Sequence, residues 1–510
     1  MAWRSDLKLR LLVSYFGQTY VSLIGMLIAP LYVRYLGAEG YGLVGVFTLL
    51  QSWMALLDFG FSATLARETA RFNGGQGSAP EYRHLVGVLS RVFLISGVAI
   101  AAAGLIASPW ISHDWLKASA IPARQVTIAV GVMVVVVALR WRTEPFRSLL
   151  LGFERQVLLN GINAGFTTVR YLGAVLVLVF VNRTVVAFFT FQLVIVVLET
   201  ATILIAAHRL LPPARLASEL RRGTWSTLRP LLKFSFSIAF TTVVWLAVSQ
   251  YDKLILSSIL PLKSYGVFAL ATIAAAGLGM LVSPISQVLL PRMTALKAKD
   301  NEVEFRRIYR AGTTVIAALV TPAALLLGLF GNEVMWVWTG DRAIAAQAAP
   351  ILRWYAFGTG LQCFTSFSYF LQFAHGDLKL HVRGNVVFAA VLIPATTYAA
   401  YTYGAIGTGV VWFAANLFYV LAWTWVVHAR FAPGLHWSWL GRDVALVAAP
   451  AAAILVAVRL APLAWPASRL EGFAWLAVLG CVSLAASGLL VPSARKTALA
   501  VLRPQRVASS

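Results

Sequence analysis

Apolar runs of about 20 residues recur from one end of this chain to the other, each long enough to cross a bilayer. Inside lipid every backbone N–H and C=O must be satisfied within the protein, so only helices and closed barrels can span. Short segments of alternating polarity, which a barrel needs, are absent from the sequence. The chain is 59% hydrophobic and only 12% charged, about half the charged fraction of a soluble domain. With a mean hydropathy of +0.78, this leaves no soluble domain of any size. The expected class is an all-α polytopic membrane protein with about 14 transmembrane helices.

The expected spans are 10–34, 40–62, 86–108, 123–144, 157–180, 185–207, 234–256, 267–290, 311–331, 350–373, 385–402, 406–427, 443–460 and 472–491. An even number puts both termini on one side. Assigning that side and every second loop to the cytoplasm places most of the 42 Lys and Arg there, as the positive-inside bias requires. The same bias accounts for the net charge of +23, so nucleic acid is not an expected partner. The basic segments include "RWRTEPFRSLLLGFERQ" and "HRLLPPARLASELRRGTWSTLRPLLK". The second joins the sixth and seventh spans and reads as a linker between lobes. Trp110, Trp115, Trp336 and Trp338 fall near the opposite interface, where an aromatic belt sits. Cys363 and Cys481 both lie in apolar runs and suggest neither a disulfide framework nor a metal site. The basic N-terminus leads into a long apolar stretch without a small-residue cleavage site, which reads as a retained first helix.

One turn is written twice. "YVRYLGAEGYGLVGV" follows the first span, and "LSSILPLKSYGVFAL" follows the seventh. Leu36, Tyr41 and Gly42 thus correspond to Leu260, Tyr265 and Gly266. Six spans separate the two turns, so the units enter the membrane the same way round, as parallel repeats about an axis along the membrane normal. The expected organisation is an N-terminal six-helix lobe (1–210), a cytoplasmic linker (211–233), a C-terminal six-helix lobe (234–430) related by a pseudo-two-fold axis, and two further helices with a tail (431–510).

The segment "RYLGAEGYGLVGVFTLLQSWMALLDFGFSATLARETA" carries Leu36, Gly37, Tyr41, Gly42, Leu57, Asp58 and Gly60 in the pattern Leu-Gly-x-x-x-Tyr-Gly followed by Leu-Asp-x-Gly. "SQYDKLILSSILPLKSYGVFALA" sets Asp252 and Lys253 before the second Tyr-Gly turn. Both resemble the polysaccharide flippases, the Wzx-type transporters of the multidrug/oligosaccharidyl-lipid/polysaccharide exporter superfamily. The resemblance implies a non-enzymatic transporter in the bacterial inner membrane with both termini cytoplasmic. It would flip polyprenyl-diphosphate-linked oligosaccharides to the periplasmic leaflet by alternating access, for O-antigen, capsule or exopolysaccharide. Its partners would be that lipid-linked substrate, membrane lipids, and a polymerase with its chain-length machinery. No cofactor is expected.

A charge near the bilayer centre costs about 2.5–3.5 kcal/mol on insertion scales, so it should face a cavity or a partner. Arg170 and Glu199 lie deep in the fifth and sixth spans, and Arg91 lies in the third. A diphosphate calls for multi-donor cations, which arginine supplies in fork geometry. Arg170, with Arg91, is therefore a candidate anion contact. Arg170 paired structurally with Glu199 is the other reading, and the two are compatible. Glu199 is also a candidate for proton coupling. Arg34, Asp252, Lys253 and Arg353, toward the outer ends of their spans, read as snorkelling groups, interlobe pairs or a gate. Gln18, Thr19, Thr242 and Gln250 are possible sugar contacts or interhelical glue. Asp58 reads as a turn-holding hydrogen-bond acceptor.

No phosphate-binding G-x-x-x-x-G-K-[ST] loop is present, so the chain does not hydrolyse ATP by that means. Three rivals remain: a lipid II flippase of the same superfamily, a multidrug/cation antiporter, and a membrane polymerase or glycosyltransferase. The first is weakened by the lack of deep arginines in the first two spans. The deep Arg170 and the two extra helices disfavour the second, and the short outer loops disfavour the third.

Overall fold

The computed structural model describes residues 2–54, 58, 60–213, 243–462 and 464–489, without the side chains of 2–16, 18, 19 and 22. Gln18, Thr19, Thr242 and nearly all of the expected linker lie outside the described residues or side chains. Among the described residues the structure is helical, with one isolated β-bridge between Lys117 and Pro261. Among the described residues, nine helices are long and apolar enough to span a membrane. Close packing divides the chain into two units, Met1–Gly266 and Val267–Ser510.

In the first unit, α1 (Ala2–Met54) turns at Gly37, which adopts φ 73°. That left-handed conformation suits glycine and separates the first two apolar runs. Then come α2 (Phe61–Asn73), α3 (Ala79–Trp110), α4 (Ala123–Gly152), α5 (Gln156–Phe180), α6 (Val185–His208) and α7 (243–259). Ser78 and Thr184 cap α3 and α6, their hydroxyls accepting from Glu81 N and Ala187 N at 3.4 and 3.3 Å, which satisfies donors that a helix start leaves free. Phe93 stacks on Trp141 at 4.6 Å, and Phe146 and Leu149 join the same buried cluster. This apolar side of α4 faces α3 and turns the helix's polar side elsewhere.

Several segments expected as loops are helical. Residues 145–152 continue α4, and "ATLARETARFN" forms most of α2. Hydropathy marks where apolar residues stop, whereas the backbone hydrogen-bond ladder continues into water. Asp58 does hold its turn: its Oδ1 accepts from Ser62 N at 3.2 Å and Ser62 Oγ at 2.6 Å.

The repeated turns meet. α8 (Leu262–Ala298) begins beside the Gly37 turn. A Cβ built on Gly266 would collide with Ala38 O and lie 2.9 Å from Gly42 N; one on Gly42 would collide with Leu262 O. Each glycine is thus needed where the other's backbone passes. Tyr41 and Tyr265 are both buried beside them. The neighbouring Glu39, also buried, holds the loop after α3: its carboxylate accepts from the backbone N–H groups of Ser119 at 2.7 Å, Ala120 at 2.9 Å and Ile121 at 3.3 Å. Trp115 Nε1 donates to Ser257 Oγ at 3.0 Å in the same region. Glu39→Ala strands these three donors, and an unsatisfied buried donor costs about 1–3 kcal/mol. The expected result is a clear fall in the melting temperature of the purified protein, with Glu39→Gln intermediate; equal melting of all three would show that water replaces the carboxylate.

The second unit holds the rest of α8 and then α9 (Glu302–Leu329), α10 (Gly331–Thr339), α11 (Arg342–Ala374) and α12 (Lys379–Phe418). α12 is broken at Gly404 (φ 59°), so one kinked helix covers two expected spans. α13 (Thr424–Phe431), α14 (His436–Leu460) and α15 (Arg469–Leu489) follow. Phe330, Leu455, Leu476 and Leu479 pack the last two helices against the α9–α10 corner. A polar knot joins α9 to α13 and α14: Tyr309 bonds His428 at 2.7 Å, Trp439 donates to Thr313 at 2.9 Å, and Arg310 grips Asp443 through two bonds of 2.7 and 3.0 Å.

Candidate functional site

Three helices of the first unit turn their polar faces into one cavity of about 490 Å³. On α4, Arg140, Glu144 and Arg147 are spaced i, i+4, i+7, along one face of a helix. On α5, Asn160, Asn163, Thr167 and Arg170 make a second stripe at three- and four-residue intervals. Glu199 enters from α6, and Gly17 and Val21 of α1 complete the wall.

Glu199 is buried and held by two guanidiniums. Arg170 Nη2 donates to its Oε2 at 2.9 Å, and Arg147 Nη2 donates to its Oε1. Arg147 Nη1 also donates to Asn163 Oδ1 at 2.6 Å, while its Nε lies 3.6 Å from Glu144 Oε1. Arg140 Nη1 donates to Gln51 Oε1 at 2.5 Å. The lining therefore carries three arginines against two glutamates, leaving one net positive charge. The Nε–H groups of Arg140 and Arg170 are buried and meet no acceptor among the described residues. Buried donors are normally satisfied by protein or ordered water, and a cavity lined in this way can accept water or a group rich in acceptors.

The other sequence candidates lie elsewhere. Arg91 is exposed, donates to Gly87 O at 3.2 Å, and is not among the lining residues. Arg34 is exposed and lies over the Tyr35 ring at 5.9 Å. Asp252 and Lys253 are partly buried and 3.6 Å apart, and Lys253 Nζ also donates to Ser249 O at 2.9 Å. Arg353 donates to Gly328 O at 3.3 Å. Gln250 is partly buried. Sequence reasoning missed Arg140, Glu144, Arg147, Asn160, Asn163 and Thr167; hydropathy alone places the first three at a span end and in a basic loop. Their helical spacing, continuous with the apolar run before them, was the available signal.

A family model described as "Polysaccharide biosynthesis protein" matches residues 10–297. Comparison with curated proteins finds no match. Among solved structures, the chain is similar to the lipid II flippase MurJ in an inward closed conformation, with TM-score 0.73 and 11% identity over 96% of this chain and 100% of that one. An inward-facing multidrug resistance MATE family transporter of the MOP superfamily gives TM-score 0.62 and 16% identity over 82% and 98%. The MATE multidrug transporter DinF-BH gives TM-score 0.57 and 15% identity over 82% and 94%. These likenesses establish an all-α polytopic membrane fold shared with flippases and exporters of that superfamily. With the family match covering more than half of its length, the chain belongs to the polysaccharide biosynthesis protein family.

Proposed function

We propose that this chain flips a polyprenyl-diphosphate-linked oligosaccharide from the cytoplasmic to the periplasmic leaflet, by alternating access of its two lobes, in the synthesis of a surface polysaccharide. It acts as a transporter and makes or breaks no glycosidic bond. The observation that carries this reading is the arginine-rich cavity in the first unit. A diphosphate presents several anionic oxygens, and guanidinium forks pair with such groups through short, charge-assisted hydrogen bonds. An entering phosphate would compete with Glu199 for Arg147 and Arg170 and satisfy the free Nε–H groups. On departure the carboxylate would take back both guanidiniums, so the empty site stays paired. Asn160, Asn163 and Thr167 would offer further polar contacts along the α5 stripe.

The test follows lipid-linked glycans in cells lacking the protein, with mass spectrometry for identity and a membrane-impermeant glycan label for leaflet. One species accumulating out of reach of the label, relieved by wild type and not by Arg170→Ala, supports the reading. No accumulation, with altered sensitivity to cationic drugs, favours an exporter. Units that reach the periplasm but stay unpolymerised favour a polymerase. Arg140→Gln removes one cation while leaving the pairs around Glu199 intact. A hydrogen bond to a charged group is worth about 1.5–3 kcal/mol, so flipping at low substrate is expected to fall about tenfold or more; an unchanged rate would take Arg140 out of the binding set.

A further inference from the structure

We propose that a groove between the two halves of α12, in the second unit, binds an anionic phospholipid, with an acyl chain in the groove and the phosphate on Lys379 and Arg383. The groove has a volume of about 430 Å³. Val387, Val391 and Ala395 line it from the first half of the helix, and Val411, Ala415 and Phe418 line it from the second. Gly384 closes one end, because the absent Cβ lets the Trp423 indole pack within 2.5–2.7 Å of where that atom would be.

The occupant follows from the charge at that end. Lys379, Arg383, Val387, Val391 and Ala395 are spaced by four residues, so the two cations continue one wall of the groove along the same helix face. Long helical side chains lean toward the helix N-terminus, which carries both charges past the apolar wall. Both residues are exposed. The acid beside them is already engaged: Asp377 accepts from the Lys379 backbone N–H at 3.1 Å and from Arg430 Nη2 at 2.6 Å. The Lys379 backbone N–H foremost, then the Arg430 guanidinium and the Lys379 ammonium, hold the Asp377 carboxyl below the usual carboxylate range. The patch therefore presents an apolar trough ending in two exposed positive charges, which complements an amphiphile with an anionic head. The flipping reaction does not require it, and the inference stands apart from the proposed function.

Full-length protein in detergent, titrated with phosphatidylglycerol or phosphatidylcholine and weighed by native mass spectrometry, tests this. Each basic side chain near an anionic headgroup contributes roughly fivefold in affinity. Wild type is expected to retain phosphatidylglycerol at least tenfold better than phosphatidylcholine. K379Q/R383Q should lose that preference, and Ala415→Phe, which fills the groove, should weaken retention of both lipids. Equal retention of the two by wild type would overturn the proposal. Displacement of phosphatidylglycerol by undecaprenyl phosphate would overturn it too, assigning the groove to a carrier lipid. Should the double variant fail to fold, bromine-labelled phosphatidylglycerol in phosphatidylcholine vesicles decides the matter. Quenching that Trp423→Phe removes supports the site, and quenching that is the same in Trp423→Phe as in wild type counts against it.

Discussion

Gly266→Ala is expected to remove function outright, through one methyl group. That methyl would overlap the carbonyl oxygen of Ala38 and crowd Gly42 N at 2.9 Å. Both neighbours are backbone, so no side-chain rotation relieves the overlap; the turns of α1 and α8 must separate. Losses above about 4 kcal/mol are exceptional and come from a short list of causes, of which steric overpacking is one. The variant should accumulate in membranes at a small fraction of the wild-type level, or accumulate and fail to flip. Gly279→Ala, in the same helix but with open space around the added methyl, controls for helix propensity and should behave as wild type. The separation of these two outcomes is what matters. A fully active Gly266→Ala would mean that the approach of the repeated turns is dispensable, and with it the physical reason for the shared Tyr-Gly pair.

That reason was half legible beforehand. The matching positions of Tyr41–Gly42 and Tyr265–Gly266 pointed to a duplication, but sequence alone does not say that the copies meet. The structure supplies the missing term: each glycine lies where the other turn's backbone passes, a demand that neither turn shows by itself. Burial of Glu39 is another such case. A carboxylate inside "LGAEGYG" looks like a surface residue until the three N–H groups of 119–121 arrive from elsewhere in the chain.

The site divides along the same line. Arg170 and Glu199 were conspicuous because charge deep in an apolar run is costly and demands a partner, and they do pair at 2.9 Å. Arg140 and Arg147 were hidden by their surroundings. They sit among Arg142, Glu144 and Arg155 in a basic stretch, and composition alone makes that stretch look like a loop. Only the continuation of α4 to Gly152 shows that Arg140, Glu144 and Arg147 share a face with the α5 stripe opposite. Arg91 shows the converse: depth alone singles it out, and it is exposed and not among the residues that line this cavity.

Glu199→Ala should be the most informative change within the site. It leaves Arg147 and Arg170, with side chains only 20% and 13% exposed, without the carboxylate that joins them. Breaking a buried pair from one side costs about 3–5 kcal/mol, since the remaining charge is left uncompensated. The melting temperature of the purified variant should drop by several degrees, and Glu199→Gln, which keeps an acceptor oxygen, should fall between. A purely structural role for the glutamate predicts no more than this. An anion site predicts something further: pyrophosphate should stabilise Glu199→Ala more than wild type, because it no longer competes with a resident carboxylate. Stabilisation by a ligand grows with its concentration relative to Kd, so the shift in melting temperature should climb with pyrophosphate in the variant and stay small in wild type. Adding Arg170→Gln to the variant should abolish most of that climb. If pyrophosphate shifts neither protein, the arginines serve only to bind α4 and α5 to α6, and the cavity loses its claim to the diphosphate.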